Sequence, residues 1–131
     1  MIRSTYPEGA VWITLARVVD PSGTALVYAA GGGEAVSIAL KIYDVSLQDN
    51  VDRWAGGSIT IGSVWFDTLL TTYGWGADAE GYNLRHLVSP GDVTGGCSGG
   101  HVYKLEYRVT TASFGVYVVE HAVTVSAGIG T

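Results

Sequence analysis

The sequence predicts an all-β protein, folded as a single antiparallel β-sandwich of about seven to eight strands over residues 1–131. Apolar and polar residues alternate in several segments, which is typical of strands with one face in water. Clusters of Gly, Pro, Ser and Asp separate these segments at short intervals, as expected for turns. Only one short segment has a helical pattern, so a helix-rich fold is excluded.

The clearest strand is 101–109, where Tyr103, Leu105, Tyr107 and Val109 share one face. Lys104, Glu106 and Arg108 occupy the other face, which predicts a strand half-buried on a core. The other strands are predicted from the same period or from apolar runs between turns. They cover residues 11–19, 35–45, 58–72, 82–88 and 117–125, with a short one at 25–29.

A short helix and two terminal arms complete the predicted domain. Ser46 is a suitable N-cap with Asp49 three residues later, and this predicts a helix of at most two turns extending to Trp54. Residues 1–10 and 126–131 lie outside the strand pattern. We expect them to form short N- and C-terminal arms that reach neighbouring chains.

The composition favours contacts with other proteins over contacts with nucleic acid or membrane. Charged residues make up 15% and hydrophobic residues 47% of the chain, against roughly 25% charged in an average domain. Subunit interfaces are where such an apolar excess is usually hidden. The net charge of −5 without a basic cluster disfavours nucleic acid. No apolar run approaches the ~18 residues of a membrane span, and we expect no secretion signal.

The chain resembles immunoglobulin-like sandwiches in one local motif. Asp92, a glycine-rich stretch and Gly100-His101-Val102-Tyr103-Lys104-Leu105 resemble the D-x-G-x-Y-x-L entry to a late strand of that fold, with several extra residues between Asp92 and Tyr103. The resemblance implies that Tyr103 forms a tyrosine corner, in which its hydroxyl bonds to the backbone of the loop. The Cys…Trp…Cys pattern is missing, which excludes an antibody-type domain.

The C-terminal half also resembles small immunoglobulin-like proteins of phage virions. The likeness runs from Asp78-Ala79-Glu80-Gly81-Tyr82-Asn83-Leu84 through the Tyr103 strand to Val125. It implies a structural protein located in a virion, and it brings no catalytic residues with it.

Gly96-Cys97-Ser98-Gly99-Gly100 matches the G-x-S-x-G pattern of serine hydrolases. A nucleophile elbow requires a strand before the serine and a helix after it, whereas here a loop precedes Ser98 and a strand follows. His86 or His101 with Asp92 could complete a triad, but we favour a flexible glycine loop between two strands. Cys97 is the only cysteine, so no intrachain disulfide forms, and we expect its thiol to be exposed.

Metal sites are also disfavoured. His86, His101 and His121 lack the short spacings that often seed zinc sites, and the apolar neighbours of His86 and His121 predict hydrogen-bonded histidines in a core or interface. The segment 44–52 supplies carboxylate and amide oxygens, but it lacks the glycine and the final Glu of a calcium-binding loop. We expect it to form a solvated acidic surface, with weak calcium binding as the alternative. It contains Asp44, Asp49, Asn50 and Asp52.

Aromatic residues on a loop are the strongest candidates for binding. Trp65 lies in a predicted strand and is expected in the core, whereas Tyr73 and Trp75 lie in a predicted loop. Trp and Tyr are enriched at the centres of protein contacts, which makes Tyr73 and Trp75 candidate anchors for an interface or a ligand.

The sequence therefore predicts a non-enzymatic structural protein that assembles with copies of itself or with other structural proteins, as part of a phage tail, neck or capsid decoration. No catalytic residue, cofactor or metal is predicted. The alternative is a carbohydrate-binding or adhesion module that binds a glycan through Tyr73 and Trp75.

Overall fold

The computed structural model describes residues 2–127, which form a β-sandwich of seven strands with almost no helix, as predicted. The strands are β1 (Ile2–Pro7), β2 (Trp12–Ala16), β3 (Ala35–Asp44), β4 (Trp65–Leu70), β5 (Tyr82–Val88), β6 (Val102–Thr111) and β7 (Val116–Ser126). The one α-helix among these residues is α1 (Ile61–Val64), and short 3-10 turns lie at Ala29–Gly31 and Pro90–Asp92. None of the helices in the described range has the length and apolar character needed to cross a membrane.

The strands form one sheet in the order β1-β7-β6-β3 and another in the order β2-β5-β4. Every pair is antiparallel except β1 and β7, which are parallel from Ile2↔His121 to Pro7↔Ser126. Sequential strands joined by a tight turn must be antiparallel, but β1 and β7 come from opposite ends of the chain. No such connection constrains their direction, which explains the departure from a fully antiparallel sandwich.

The core lies between the two sheets and is built by the alternation seen in the sequence. On β6, Tyr103, Leu105, Tyr107 and Val109 are buried, while the intervening side chains face outward. Trp12 of β2 meets Tyr103 from the opposite sheet, with ring centroids 5.2 Å apart. Trp65 is buried as well, as predicted.

The predicted helix after Ser46 is wrong. Residues 45–48 form turns, and Gln48 and Asn50 have φ angles of 55° and 54°. This left-handed backbone cannot continue a right-handed helix.

The predicted strand 58–72 is interrupted. Its first part contains α1, and only Trp65–Leu70 is extended, as β4. The short strand predicted at 25–29 is reduced to a single bridge between Ala25 and Val19. Ala29 and Ala30 follow with φ angles of 47° and 52°, which end any extended conformation there.

The expectation that residues 1–10 lie outside the strands is wrong for residues 2–7, which form β1. At the other end, β7 continues to Ser126, and the rest of the predicted C-terminal arm falls mainly on residues 128–131, outside the described residues.

Candidate functional site

The hydroxyl of Tyr103 lies against the backbone of the glycine loop. It accepts the N–H of Ser98 at 2.8 Å and donates to the carbonyl of Gly96 at 3.4 Å. The ring is buried, with 1% of its surface exposed. The loop is tied down elsewhere too, since the N–H of Gly100 donates to the carbonyl of Val125 at 2.6 Å. The loop lies between β5 and β6, as predicted, and these bonds hold it against the fold.

The two histidines considered as partners of Ser98 are engaged elsewhere. His101 Nδ1 lies 2.7 Å from Asp44 Oδ2, and His86 Nδ1 lies 2.8 Å from the Tyr107 hydroxyl. Across residues 2–127, no hydrogen bond joins the Ser98 hydroxyl to an imidazole or a carboxylate. Cys97 is half-buried against the core instead of exposed, and burial raises the pKa of its thiol.

The acidic window does not form a solvated surface at Asp44, which is 4% exposed. Asp44 bonds to His101 and also accepts the N–H of Ser46 at 3.1 Å. Asp52 accepts the N–H of Ile42 at 3.0 Å, and Asp49 pairs with Arg53. Within the described part of the chain, no group of three or more His, Cys, Asp or Glu side chains is placed to hold a metal ion. The carboxylates of Asp44 and Asp52 accept backbone N–H groups, and that of Asp49 pairs with Arg53.

A buried polar cluster joins the two sheets. The Tyr107 hydroxyl of β6 donates to the Thr14 hydroxyl of β2 at 3.2 Å and bonds to His86 of β5 at 2.8 Å. Thr14 and Tyr107 are completely buried and His86 is 8% exposed. Burial lowers the pKa of His86 and raises that of Tyr107, so both are neutral near pH 7. The prediction of a hydrogen-bonded core histidine is confirmed for His86.

His121 is the second buried histidine, and it faces β1. Its Nε2 lies 2.8 Å from the Ser4 hydroxyl, which confirms a hydrogen-bonded histidine at this position too. Its Nδ1 is buried without a hydrogen-bond partner in the described structure. Burial lowers the pKa of His121 to about 4, and the ring is therefore neutral at pH 7.

The two predicted anchors differ in exposure. Tyr73 is 54% exposed, and its ring lies 4.3 Å from the guanidinium of Arg85, a cation–π contact. Trp75 is half-buried and packs near Tyr82, with ring centroids 5.8 Å apart. The indole N–H of Trp75 donates to Asp78 Oδ1 at 3.1 Å, which fixes the orientation of the ring.

Asp78 is the polar centre of the loop that carries Trp75. It accepts the N–H of Gly81 at 3.1 Å, and this bond is the largest of several that lower the pKa of Asp78 to about 2. Its other oxygen lies 2.6 Å from Nη1 of Arg17, at the end of β2. Asp78 therefore remains charged and ties the loop to the neighbouring strand. Sequence reasoning did not pair Asp78 with Arg17, because 61 positions separate them and no local pattern relates them.

A cleft opens beside this loop, between the β1–β7 side of one sheet and β2 of the other. It consists of two adjoining cavities of about 500 and 290 Å³, which share Ile2, Leu15, Trp75 and Ala77 in their walls. Arg17, Asp78 and Glu120 line the larger cavity, whereas Arg3, Ser4 and His121 line the smaller one, together with Tyr73. The structure thus brings Tyr73 and Trp75 together at one cleft.

The edge of β3 is covered by the chain itself. Ile42 bonds through its backbone to Asp52 and Arg53, and Ile38 bridges Ile59. A covered edge of this kind is closed to pairing with another chain. Beside β4, the side-chain carboxylate of Asp67 accepts the N–H groups of Tyr28 and Ala29 at 2.6 and 2.9 Å, so residues 28 and 29 lie next to this strand.

The edge of β2 is capped by one side chain from β1. The Tyr6 hydroxyl donates to the carbonyl of Ile13 at 3.1 Å and lies 3.2 Å from the N–H of the same residue. Since alternate residues of a strand point to the same neighbour, Leu15 also presents its N–H and carbonyl to this side. Leu15 itself lines both cavities of the cleft.

The edge formed by β1 and the start of β7 is uncovered among residues 2–127. Glu8 N–H bonds to the carbonyl of Ser126, so the even-numbered residues of β1 bond to β7. Arg3 and Thr5 consequently direct their N–H and carbonyl groups outward. Residues 116–120 of β7 extend past β1, and Val116 and Val118 are about half exposed there, at 53% and 47%.

Comparison with protein-family models, curated protein sequences and solved structures finds no match to this chain.

Proposed function

We propose that this protein is a non-enzymatic structural module that assembles with copies of itself or with other structural chains through the open edge of β1. The observation that carries the proposal is the contrast between the two edges of one sheet: β3 is covered by residues 52–59, whereas β1 directs the backbone groups of Arg3 and Thr5 outward. An uncovered edge pairs readily with a strand from another chain.

Few of the usual devices that prevent pairing protect this edge. Arg3 is the only charged side chain in Ile2–Pro7, and Pro7 stands at the end of the strand, where its lack of an N–H affects one position only. The exposed Val116 and Val118 continue the same side of the sheet. A partner strand would bond to Arg3 and Thr5 and cover this apolar surface at the same time.

We further propose that the sandwich is immunoglobulin-like and that the assembly is a phage virion. The sheet orders β7-β6-β3 and β2-β5-β4 correspond to the G-F-C and B-E-D orders of that fold, which supports the first part. The Tyr103 hydroxyl bonds to the preceding loop as a tyrosine corner would. Support for a virion comes from the sequence resemblance and from the charge-poor composition.

The mass of the untagged protein at micromolar concentration, measured by size exclusion with light scattering, tests the assembly proposal. We expect a multimer for the wild type and a monomer for Thr5→Pro, because proline removes the outward N–H and leaves the bonds to β7 in place. Thr5→Val is the matched control and should remain multimeric. A wild-type monomer, or equal masses for Thr5→Pro and wild type with unchanged circular dichroism, would overturn the proposal.

A further inference from the structure

We propose that the cleft between β1, β2 and the loop of residues 73–78 binds a neutral sugar, with the face of Trp75 as its platform. This inference goes beyond the assembly role and does not depend on it. The cleft provides the three features that sugar recognition needs: a space of suitable size, an aromatic face, and polar groups of both kinds.

The space suits one or two sugar rings. The adjoining cavities measure about 500 and 290 Å³, and small-molecule pockets in proteins are typically of this size. Trp75 lines both cavities, so a sugar ring in either one would lie next to this residue. The negative π face of an indole attracts the weakly positive C–H groups on one face of a pyranose.

Trp75 is held in place before any ligand arrives. Its N–H bonds to Asp78 at 3.1 Å, and Asp78 is itself held by Arg17 at 2.6 Å and by the N–H of Gly81 at 3.1 Å. Side chains fixed in this way lose little conformational entropy when a ligand binds. Tyr73, by contrast, stacks on Arg85 and is the more peripheral of the two aromatics.

The polar groups of the cleft match hydroxyls, which both donate and accept hydrogen bonds. Asp78 offers acceptors, and Arg17 and Arg3 offer donors.

The charges in the cleft favour a neutral ligand over an anion. Arg17 is already paired with Asp78 at 2.6 Å and lies 3.6 Å from Glu80, so it offers no free cation to an anionic ligand. His121 contributes no charge at pH 7, since burial lowers its pKa to about 4. An acidic sugar would meet the carboxylate of Asp78 without gaining a free cation from Arg17.

Titration of the ¹⁵N-labelled protein with methyl glucoside, methyl galactoside, methyl mannoside and N-acetylglucosamine tests this proposal. The probe is the indole N–H resonance of Trp75, identified by its loss in Trp75→Leu. We expect at least one of these sugars to shift the resonance saturably with a Kd in the range of about 1 mM, and its uronate counterpart to bind about tenfold more weakly.

Two variants separate binding from folding. Ala77→Phe places a ring in the shared wall of both cavities without altering Trp75, and it should abolish the shift while the circular dichroism spectrum is unchanged. Tyr43→Leu removes an aromatic residue that lines a different cavity, with Lys104, and should leave binding intact. If none of the four sugars moves the resonance, or if Ala77→Phe binds as well as the wild type, the proposal is wrong.

Discussion

Replacement of Tyr103 by Phe should destabilise the protein by about 1–3 kcal/mol. The substitution removes the hydroxyl group that bonds to the loop and leaves its backbone partner unpaired. The Tyr103 side chain is 1% exposed. Its oxygen accepts the N–H of Ser98 at 2.8 Å, a bond of ordinary length, and its bond to Gly96 is long, at 3.4 Å. The Ser98 bond therefore accounts for most of the expected loss.

The substitution isolates the hydroxyl. Phe keeps the ring that packs 5.2 Å from Trp12, so no cavity forms and the transfer free energy of the ring is retained. The cost is then the desolvated N–H of Ser98, which is about 1–3 kcal/mol for an unpaired buried donor and less where water reaches it. Because the Ser98 bond is partly buried, a value near the lower half of this range is expected.

Urea denaturation at neutral pH, followed by circular dichroism, provides the measurement. The midpoint should fall while the slope m stays constant, since the same surface becomes exposed on unfolding. Tyr117→Phe is the matched control: its hydroxyl has no hydrogen-bond partner among residues 2–127, and its loss should leave stability within about 0.5 kcal/mol. If Tyr103→Phe unfolds within about 0.3 kcal/mol of the wild type, the hydroxyl does not anchor the loop and the tyrosine-corner assignment is wrong.

Three other predictions concern the core, the glycine loop and pH. Leu105→Ala should cost about 2–5 kcal/mol in the same urea assay, because Leu105 is fully buried and leaves a cavity; a loss below about 1 kcal/mol would contradict its place in the core. Ser98→Ala and Cys97→Ser should leave fold and assembly unchanged, and labelling of Ser98 by a fluorophosphonate would refute this. Burial lowers the pKa of His121 from 6.5 to about 4. Between these two pH values the imidazole of His121 is protonated in the unfolded chain but not in the folded protein. The free energy of unfolding should therefore fall by up to about 3 kcal/mol as the pH falls from about 6.5 to 4. The stability difference between wild type and His121→Gln should change with pH across this window, and a constant difference would exclude the effect.

The strands that the sequence predicted well are those whose pattern is local. Apolar and polar residues alternate in 101–109 because successive side chains of β6 face the core and water in turn. This pattern is visible without knowledge of any distant residue. Residues 82–88 coincide with β5, in which Leu84, His86 and Val88 are buried whereas Arg85 and Leu87 are not.

Features that depend on distant partners were not predictable in this way. Ile2–Pro7 has no marked apolar alternation, and it is a strand because β7, more than a hundred residues later, offers an open edge. Asp44 is buried because His101 and the N–H of Ser46 bond to its carboxylate. The sequence ranked Tyr73 and Trp75 as candidates from their loop position, whereas the cleft beside them requires residues from β1, β2 and β7.

The two proposed surfaces adjoin, because Arg3 and Val118 lie at the open edge and also line the cleft, but they depend on different groups, and this makes them separable by experiment. The hydrogen bonds available to a partner strand come from the outward backbone of Arg3 and Thr5. Ser4 and Tyr6 of the same strand bond to His121 and Ile13 on the cleft side. Assembly therefore depends on the outward N–H of Thr5, whereas sugar binding depends on Trp75, and each can be altered without the other. Thr5→Pro should abolish assembly and keep sugar binding, while Ala77→Phe should do the reverse. If either variant lost both assembly and sugar binding while its fold stayed intact, the two properties would depend on one shared surface.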